Sequence, residues 1–191
     1  MSDAVSRFPI TELEDLPDDL RERVGVIAEK SGFTPNIFRA LGHRPAELRA
    51  FLDYHDALME RSDGLSKAER ELIVVATSGA NHCTYCVVAH GAILRIRAKD
   101  PELADRVSSN PWQVELDERG RAIVDLALAL AQDSALFGDG DLAAARNAGL
   151  TDDEIWDVGA ITALFAMSNR LAHLTALRPN PEFFLLGRVP R

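Results

Sequence analysis

Apolar residues recur at helical spacing along most of this chain. Over residues 48–59 and 117–132, and again beyond Thr151, apolar side chains return every three or four positions. No segment shows the strict apolar–polar alternation of a half-buried β-strand. The pattern therefore predicts an all-α protein. We place helices at residues 18–32, 35–42, 45–59, 67–80, 83–98, shortly after 100–101, at 117–132, 141–148 and from 152 onward.

Two helix starts share one sequence signature. Ser66 with Glu69 and Thr151 with Glu154 each form the pattern of a capping box. Gly-Leu precedes both boxes, so the two segments match at an offset of 85 residues. Either the chain contains two related helical units, or Gly-Leu-Ser/Thr is simply a common way to enter a helix. The offset sets Ser168, Leu171 and Thr175 against Cys83, Cys86 and His90, so a duplication would keep thiol chemistry only in the first unit.

Length and composition favour one globular domain over residues 1–191, since a chain of this size buries a substantial core. We expect a flexible N-terminus at about residues 1–16 and a C-terminal arm at about 178–191. Pro179 and Pro181 prevent the last helix from continuing into that arm. Four large apolar residues follow at 183–186, and they favour an interface with a second subunit.

Charge and cysteine content exclude several classes of function. A net charge of −9 argues against nucleic-acid binding, which requires clustered Lys and Arg. Residues 1–8 lack the apolar core of a signal peptide, and the weakly polar stretch at 158–167 is too short to span a membrane. The two cysteines lie three positions apart, which indicates redox or metal chemistry in a reducing compartment. We therefore expect a cytoplasmic protein.

Cys83, Cys86 and His90 form the candidate reactive group. Residues three, four and seven apart share one helix face, so the three side chains should lie together. Cys83 falls in the first turn, where free N–H groups stabilise a thiolate. His90, one turn beyond Cys86, is placed to take the proton of that thiol.

Glu71 joins this group only if the chain reverses between the two helices. Twelve residues separate it from Cys83, which is roughly 18 Å along one continuous helix. A turn at Ala80-Asn81 would instead bring Glu71 opposite His90 in an antiparallel hairpin. The carboxylate could then orient the imidazole as a base.

Each of these residues also has a simpler interpretation. His82, Cys83, Cys86 and His90 could supply four zinc ligands, the cysteines could be inert core residues, and Glu71 could be a solvated helix charge. We expect no metal, with Tyr85 as a pocket wall whose phenol can donate to a ligand oxygen. His82 is the second candidate pocket residue.

Other notable side chains have structural explanations. His55 lies on an apolar stripe and reads as a core histidine, and His43 as a partner of a helix end. Nothing in the sequence decides whether His173 faces the site or an interface. Trp112 and Trp156 are expected to be packing residues.

The motif Glu71-(x11)-Cys83-x-x-Cys86-x-x-x-His90 resembles that of the AhpD-like alkylhydroperoxidases in the carboxymuconolactone decarboxylase superfamily. Residues 32–36 with Pro45, and residues 169–183, are similar to the peroxidase-related branch of that family. The resemblance implies an AhpD-like helical domain without a cofactor, assembled as a homo-oligomer between dimer and hexamer. It also implies reduction of a hydroperoxide at the expense of a thiol or protein reductant.

The same resemblance implies a role for each residue. Cys86 would be the peroxidatic thiol, Cys83 the resolving thiol, and His90 with Glu71 the proton relay. One departure is that well-studied members carry a histidine directly before the second cysteine, where this chain has Tyr85. Two alternatives remain: a thiol–disulfide oxidoreductase or redox sensor, and a carboxymuconolactone decarboxylase-like enzyme, whose chemistry does not require a dithiol.

Overall fold

The structure is a computed structural model that describes residues 4–188, and the regular secondary structure in that range is all helical, with no β-strand. The all-α prediction is confirmed. The α-helices are α1 (Asp18–Ser31), α2 (Asn36–Leu41), α3 (Pro45–Met59), α4 (Lys67–Ala80), α5 (Thr84–Ala98), α6 (Leu103–Ser109), α7 (Glu118–Asp133), α8 (Asp139–Asn147) and α9 (Asp152–Thr175). Short 3₁₀ turns lie at Leu13–Asp15, Pro111–Gln113 and Pro181–Phe184.

Side-chain caps set several helix boundaries where the sequence predicted them. Both capping boxes form, at Ser66 before α4 and at Thr151 before α9. α6 starts a little later than predicted, at Leu103, because the Asp100 carboxylate accepts the N–H groups of Glu102 and Leu103. Hydrogen bonds from backbone N–H groups to a nearby side chain compete with the helical hydrogen bonds, so the helix begins after them.

Helix α4 forms the centre of the molecule. Its residues from Arg70 to Ser78 are all buried, and α5, α6, α7 and α9 surround it. One apolar cluster joins α4 to α3, α7 and α9 around Ile73 and Phe165. A second joins α4 to α5, α6 and α7 around Val75 and Leu94. A helix enclosed in this way holds its side chains in fixed positions, which matters for Glu71.

A buried ion pair ties α4 to α9. Arg70 and Asp157 are both almost fully buried, and Arg70 Nη1 lies 3.0 Å from Asp157 Oδ2. The same guanidinium donates to the carbonyl oxygens of Leu58, Asp63 and Leu65. Each of the three guanidinium nitrogens therefore has at least one partner, as a buried charge requires.

Arg119 of α7 connects the two capping boxes. Its guanidinium bonds to Glu69 at the start of α4 and to Glu154 at the start of α9, each at 2.6 Å. The two helix starts with matching sequences are thus neighbours in space. Whether they arose by duplication stays a prediction.

The two chain ends lie against each other and against α5. Arg7 N–H donates to the Thr175 carbonyl, and Arg178 N–H donates to that of Val5. The flexibility that we expected over about residues 1–16 stays a prediction, and residues 1–3 and 189–191 lie outside the described part of the chain. The prediction that the C-terminal tail forms an arm needs a correction.

The tail does not project as an arm. Arg95 of α5 donates to the carbonyls of Phe183 and Leu186, and the Phe183 ring is buried. Gly187, with φ of 73°, lies so close to α5 that a Cβ would meet Arg95. The segment up to residue 188 therefore folds back on its own subunit because the buried Arg95 supplies donors for its carbonyls. Phe184 and Leu185 remain exposed.

The predictions for single aromatic and histidine residues have different outcomes. Trp112 and Trp156 are 64% and 75% exposed, so the expectation that they pack within the fold is wrong; both occupy outward positions of their helices. His55 lies between Phe51 and Phe165, as a core histidine should. His43 bonds to the Ala40 carbonyl at the end of α2, which confirms its role there. Among the described helices, none has the length and apolarity to cross a membrane.

The Arg70–Asp157 pair generates a stability prediction. Asp157→Ala leaves the guanidinium buried without its counter-charge, so we expect the free energy of unfolding to fall by about 3–5 kcal/mol. Urea denaturation measures this change. The double variant Arg70→Met/Asp157→Leu removes both charges and should recover only part of the loss, because the carbonyls of Leu58, Asp63 and Leu65 lose their donor. Asp18→Ala, which breaks an exposed pair with Arg21, is the control and should change little. A comparable effect of the two aspartate substitutions would contradict the assignment.

Candidate active site

A tight reversal of the chain joins α4 to α5. His82 N–H donates to the Gly79 carbonyl at 3.0 Å, and Cys83 N–H donates to that of Ser78 at 2.9 Å. His82 adopts a left-handed conformation with φ of 54°. Together these features make the Schellman motif that ends many helices. Cys83 both closes this motif and is the N-cap residue of α5.

Both cysteines are free and buried. Each is 1% exposed, within an apolar cluster to which Ala40, Ala89 and Phe183 also belong. Cys83 and Cys86 hydrogen-bond to each other through their side chains. The predicted dithiol at the start of a helix is therefore present.

The two thiols differ in acidity. The hydrogen bond from Cys86 lowers the pKa of Cys83 to about 6, against the opposing effect of burial. The Cys86 backbone amide, His173 and Asn169 lower the pKa of Cys83 further. The neighbouring Cys83 and burial together raise the pKa of Cys86 well above its ordinary value. At neutral pH the pair thus holds one negative charge, mainly on Cys83.

Glu71 and His90 form a direct pair across the hairpin. Glu71 Oε2 lies 2.8 Å from His90 Nδ1, and only small parts of the two side chains are exposed. The edge of Phe165 packs on the imidazole, with ring centroids 4.6 Å apart. The predicted turn and the reach of Glu71 to His90 are confirmed. Because Glu71 engages Nδ1, Nε2 is the nitrogen left to exchange a proton.

Helix α9 supplies polar groups that the sequence did not assign to the site. Ser168 Oγ lies 3.9 Å from Cys86 Sγ, and the Asn169 amide lowers the pKa of both thiols. His173 Nε2 bonds to the Asn81 carbonyl at 3.0 Å and faces the site from the solvent side. The signal that could have revealed Ser168 and Asn169 is two adjacent polar residues on the buried, otherwise apolar face of α9.

Tyr85 and His82, the two residues expected to line a pocket, differ in burial. Tyr85 is buried, and its phenol oxygen accepts the Ile37 N–H at 3.0 Å, which fastens α2 to α5. Burial raises the pKa of Tyr85, so the phenol stays neutral. Its ring belongs to the same apolar cluster as both cysteines, and its role as a pocket wall stays a prediction. His82 is exposed beside the turn, so it does not line that cluster.

The zinc alternative does not fit this arrangement. His82 points to solvent, and His90 is bonded to Glu71. Across residues 4–188, no group of three or more His, Cys, Asp or Glu side chains is arranged to hold a metal ion. A structural zinc site needs four convergent ligands.

Comparisons with known proteins agree with the fold and the motif. Residues 45–108, which include the hairpin and all four candidate catalytic residues, match the carboxymuconolactone decarboxylase family. A solved structure from Ralstonia eutropha JMP134, described as an alkylhydroperoxidase AhpD core and uncharacterized peroxidase-related protein, is 52% identical. It covers 100% of both chains with a TM-score of 0.96.

A peroxidase-related protein from Silicibacter sp. TM1040 is 35% identical over 96% of this chain and 95% of its own, with a TM-score of 0.89. The debrominase Bmp8, solved in complex with 2,3,4-tribromopyrrole, shares the fold at 16% identity, with a TM-score of 0.76 over 96% of this chain and 95% of its own. No curated protein matches the chain. The full-length similarity to the first two structures and the family match show that this chain belongs to the carboxymuconolactone decarboxylase superfamily, alongside its AhpD-like, peroxidase-related members.

Proposed function

We propose that the protein reduces hydroperoxides through a dithiol–disulfide cycle of Cys83 and Cys86. The observation that carries the proposal is the pair of hydrogen-bonded, buried sulfurs with the Glu71–His90 pair on the same hairpin. A thiolate is the nucleophile in peroxide reduction, and the lowered pKa of Cys83 keeps one negative charge on the pair at neutral pH.

In the first step, Cys86 attacks the terminal oxygen of the peroxide. An S–O bond forms, the O–O bond breaks, and the alkoxide leaves with the electron pair. Cys86 becomes a sulfenic acid, and the alkoxide takes a proton to become an alcohol. Because the resting charge lies mainly on Cys83, attack by Cys86 requires its proton to pass to Cys83 or His90.

In the second step, the Cys83 thiolate attacks the sulfenic sulfur and expels hydroxide, which is protonated to water. The hydrogen bond between the two side chains places the sulfurs for this disulfide. An external thiol or protein dithiol then restores the reduced pair by exchange. The net reaction converts a hydroperoxide and a dithiol into an alcohol, water and a disulfide.

His90 and Glu71 handle protons in this scheme. Cys86 and His90 are one turn apart in α5, so their side chains are neighbours on its surface. The Glu71 carboxylate fixes the imidazole and stabilises its positive charge when it has taken a proton. His90 can then return that proton to the leaving oxygen, in the manner of paired general bases and acids.

The acidity of Cys83 favours one second candidate, a thiol–disulfide oxidoreductase that does not use peroxide. An acidic first cysteine at a helix start suits exchange with a disulfide partner. A lactone decarboxylase-like activity gains no such support, because its chemistry does not use two thiols. We expect either thiol cycle to operate in the cytoplasm, where a reductant is present.

An exposed apolar stripe on α9 supports assembly into a homo-oligomer. Trp156, Ala160, Ala163, Met167 and Leu174 follow one another at steps of three, four and seven residues, and Trp156, Met167 and Leu174 are well exposed. The opposite face of α9 is already in the core. A helix apolar on both faces is expected to be buried on both. We propose that this stripe, and not the tail, contacts a second subunit.

Single cysteine substitutions test the assigned roles. After one equivalent of an organic hydroperoxide, Cys83→Ser should carry a sulfenic acid on Cys86 and stop after one turnover. Cys86→Ser should consume no peroxide. Mass spectrometry with a sulfenate-trapping reagent measures both outcomes. A sulfenate on Cys83 of the Cys86→Ser variant would reverse the roles, and no sulfenate in either variant would favour the exchange activity.

The Glu71–His90 pair generates a pH prediction. The Cys83 thiolate forms as pH rises through about 6, so wild-type peroxide consumption should increase through that pH. His90→Ala should lower the rate by about 100-fold or more and move this rise to higher pH, because Cys86, whose pKa is raised, then has to lose its proton without that base. Glu71→Gln keeps a hydrogen-bond acceptor but removes the charge, and it should have a smaller effect in the same direction.

Steady-state rates measured across pH check both substitutions, with Glu118→Gln on the surface of α7 as the control. The control variant should match the wild type. A pH profile that His90→Ala leaves unmoved would remove His90 from the proton relay.

The stripe on α9 generates an assembly prediction. Sedimentation velocity should show the wild type as a homo-oligomer, and Met167→Glu should lower its mass toward that of one chain, because a charge in the stripe opposes burial. Lys30→Glu on α1 introduces the same carboxylate elsewhere on the surface and should leave the assembly intact. A monomeric wild type would refute the proposal.

A further inference from the structure

Asn169 is a fully buried amide in the middle of α9, with 0% of the residue exposed. Its Oδ1 accepts the Asn81 side-chain N–H at 3.0 Å, and its Nδ2 donates to Ser78 Oγ at 3.0 Å. Both partners belong to the end of α4. Ser78 is also the residue whose carbonyl accepts the Cys83 N–H, so Asn169 holds the last turn from which the dithiol starts.

The same amide reaches the sulfurs. An asparagine NH₂ group has two hydrogens, of which Ser78 uses one. The second is available to Cys83 and Cys86, and the Asn169 amide lowers the pKa of both thiols. One side chain on α9 thus bonds to the helix end and to the turn, and it favours the thiolate form of the pair. We propose that Asn169 is a positioning residue of the dithiol, which fixes the Schellman turn and donates an N–H to the charged sulfur pair.

The apolar surroundings explain why such a donor is needed. Phe33, Ile37, Val88 and Leu186 pack against the cluster that contains both cysteines, so little water is available to solvate a thiolate. A buried charge without hydrogen-bond donors is unfavourable. The Cys86 backbone amide supplies one donor from α5, and Asn169 supplies one from α9. Loss of Asn169 would therefore favour the neutral thiol over the thiolate.

Several titratable groups face the same sulfurs and contribute to their charge state. Tyr85 lies on α5 and interacts with both thiols, and its phenol is neutral. His173 on α9 favours the Cys83 thiolate. The Glu71–His90 pair lies between α4 and α5. Asn169 is uncharged at every pH, so replacing it with another uncharged residue shifts the titration of the thiols without adding or removing a titrating neighbour.

This inference rests on the proposed dithiol chemistry but is tested without it. We would titrate the reduced protein and follow the ultraviolet absorbance of the thiolate, which requires neither peroxide nor a reductant. Asn169→Leu removes the donor at similar size. We expect the first thiol to ionise at higher pH than in the wild type, with the thiolate-to-thiol ratio at a given pH lowered by about tenfold.

Asn169→Asp keeps the oxygen that accepts from Asn81 but replaces the donor with a carboxylate. It should move the ionisation at least as far in the same direction. Asn36→Ala is the matched control, because Asn36 is also buried and bonds through its side chain to Arg39 and to the Arg178 carbonyl, but not to the sulfurs. It should leave the midpoint of the titration unchanged.

Circular dichroism at each pH shows whether a variant is folded, and Asn169→Ser is available if the larger replacements are not. A folded Asn169 variant with the wild-type midpoint would overturn the proposal, as would an equal shift in Asn36→Ala. If the wild type consumes no peroxide but Asn169→Leu still shifts the midpoint of the titration, the result would support the role of Asn169 and refute the proposed function.

Discussion

The reversal of the chain at residues 81–83 is the constraint on which the site depends. Two backbone hydrogen bonds end α4 and reverse the chain, so that α5 begins directly after the turn without a longer loop. Glu71 precedes this turn by about as many residues as His90 follows it, so the carboxylate meets the imidazole. The turn requires His82 to be left-handed, which is unfavourable for a residue with a Cβ. The hydrogen bonds and the burial of Cys83 offset that strain.

The hairpin could be predicted from sequence because its determinants are local. The capping box at Ser66 fixes where α4 starts, and the spacing of Cys83, Cys86 and His90 fixes their shared face. Only the turn had to be assumed. The contributions of Ser168 and Asn169 could not be predicted in this way, since they depend on how α9 crosses the end of α4 about ninety residues further along the chain.

The direction of the C-terminal tail also depends on contacts that the local sequence does not reveal. The prolines correctly predicted that α9 would stop, but a proline does not say where the chain goes next. The buried guanidinium of Arg95 decides that direction by bonding to two carbonyls of the tail. Likewise, Trp156 is an aromatic residue in an apolar helix, and only the packing of α9 shows that it faces outward. Periodicity defines the faces of a helix, whereas tertiary structure selects which face is covered.

The fold alone does not identify the chemistry. Bmp8, a debrominase, has nearly the same path of the chain at 16% identity, so the helical scaffold hosts different reactions. The candidate chemistry of this chain lies in the groups at the turn. Two sulfurs share one charge, two amides support it, and the Glu71–His90 pair lies one helical turn away.

Tyr85 bears on how protons move in that set. The family resemblance leads one to expect a histidine at this position, which would add a second titrating group next to Cys86. Here the phenol is neutral and bonded to the Ile37 amide, and its ring closes that side of the cluster. In the proposed cycle, proton exchange is therefore left to His90, while Ser168 and Asn169 of α9 act on the thiols from their side of the cluster.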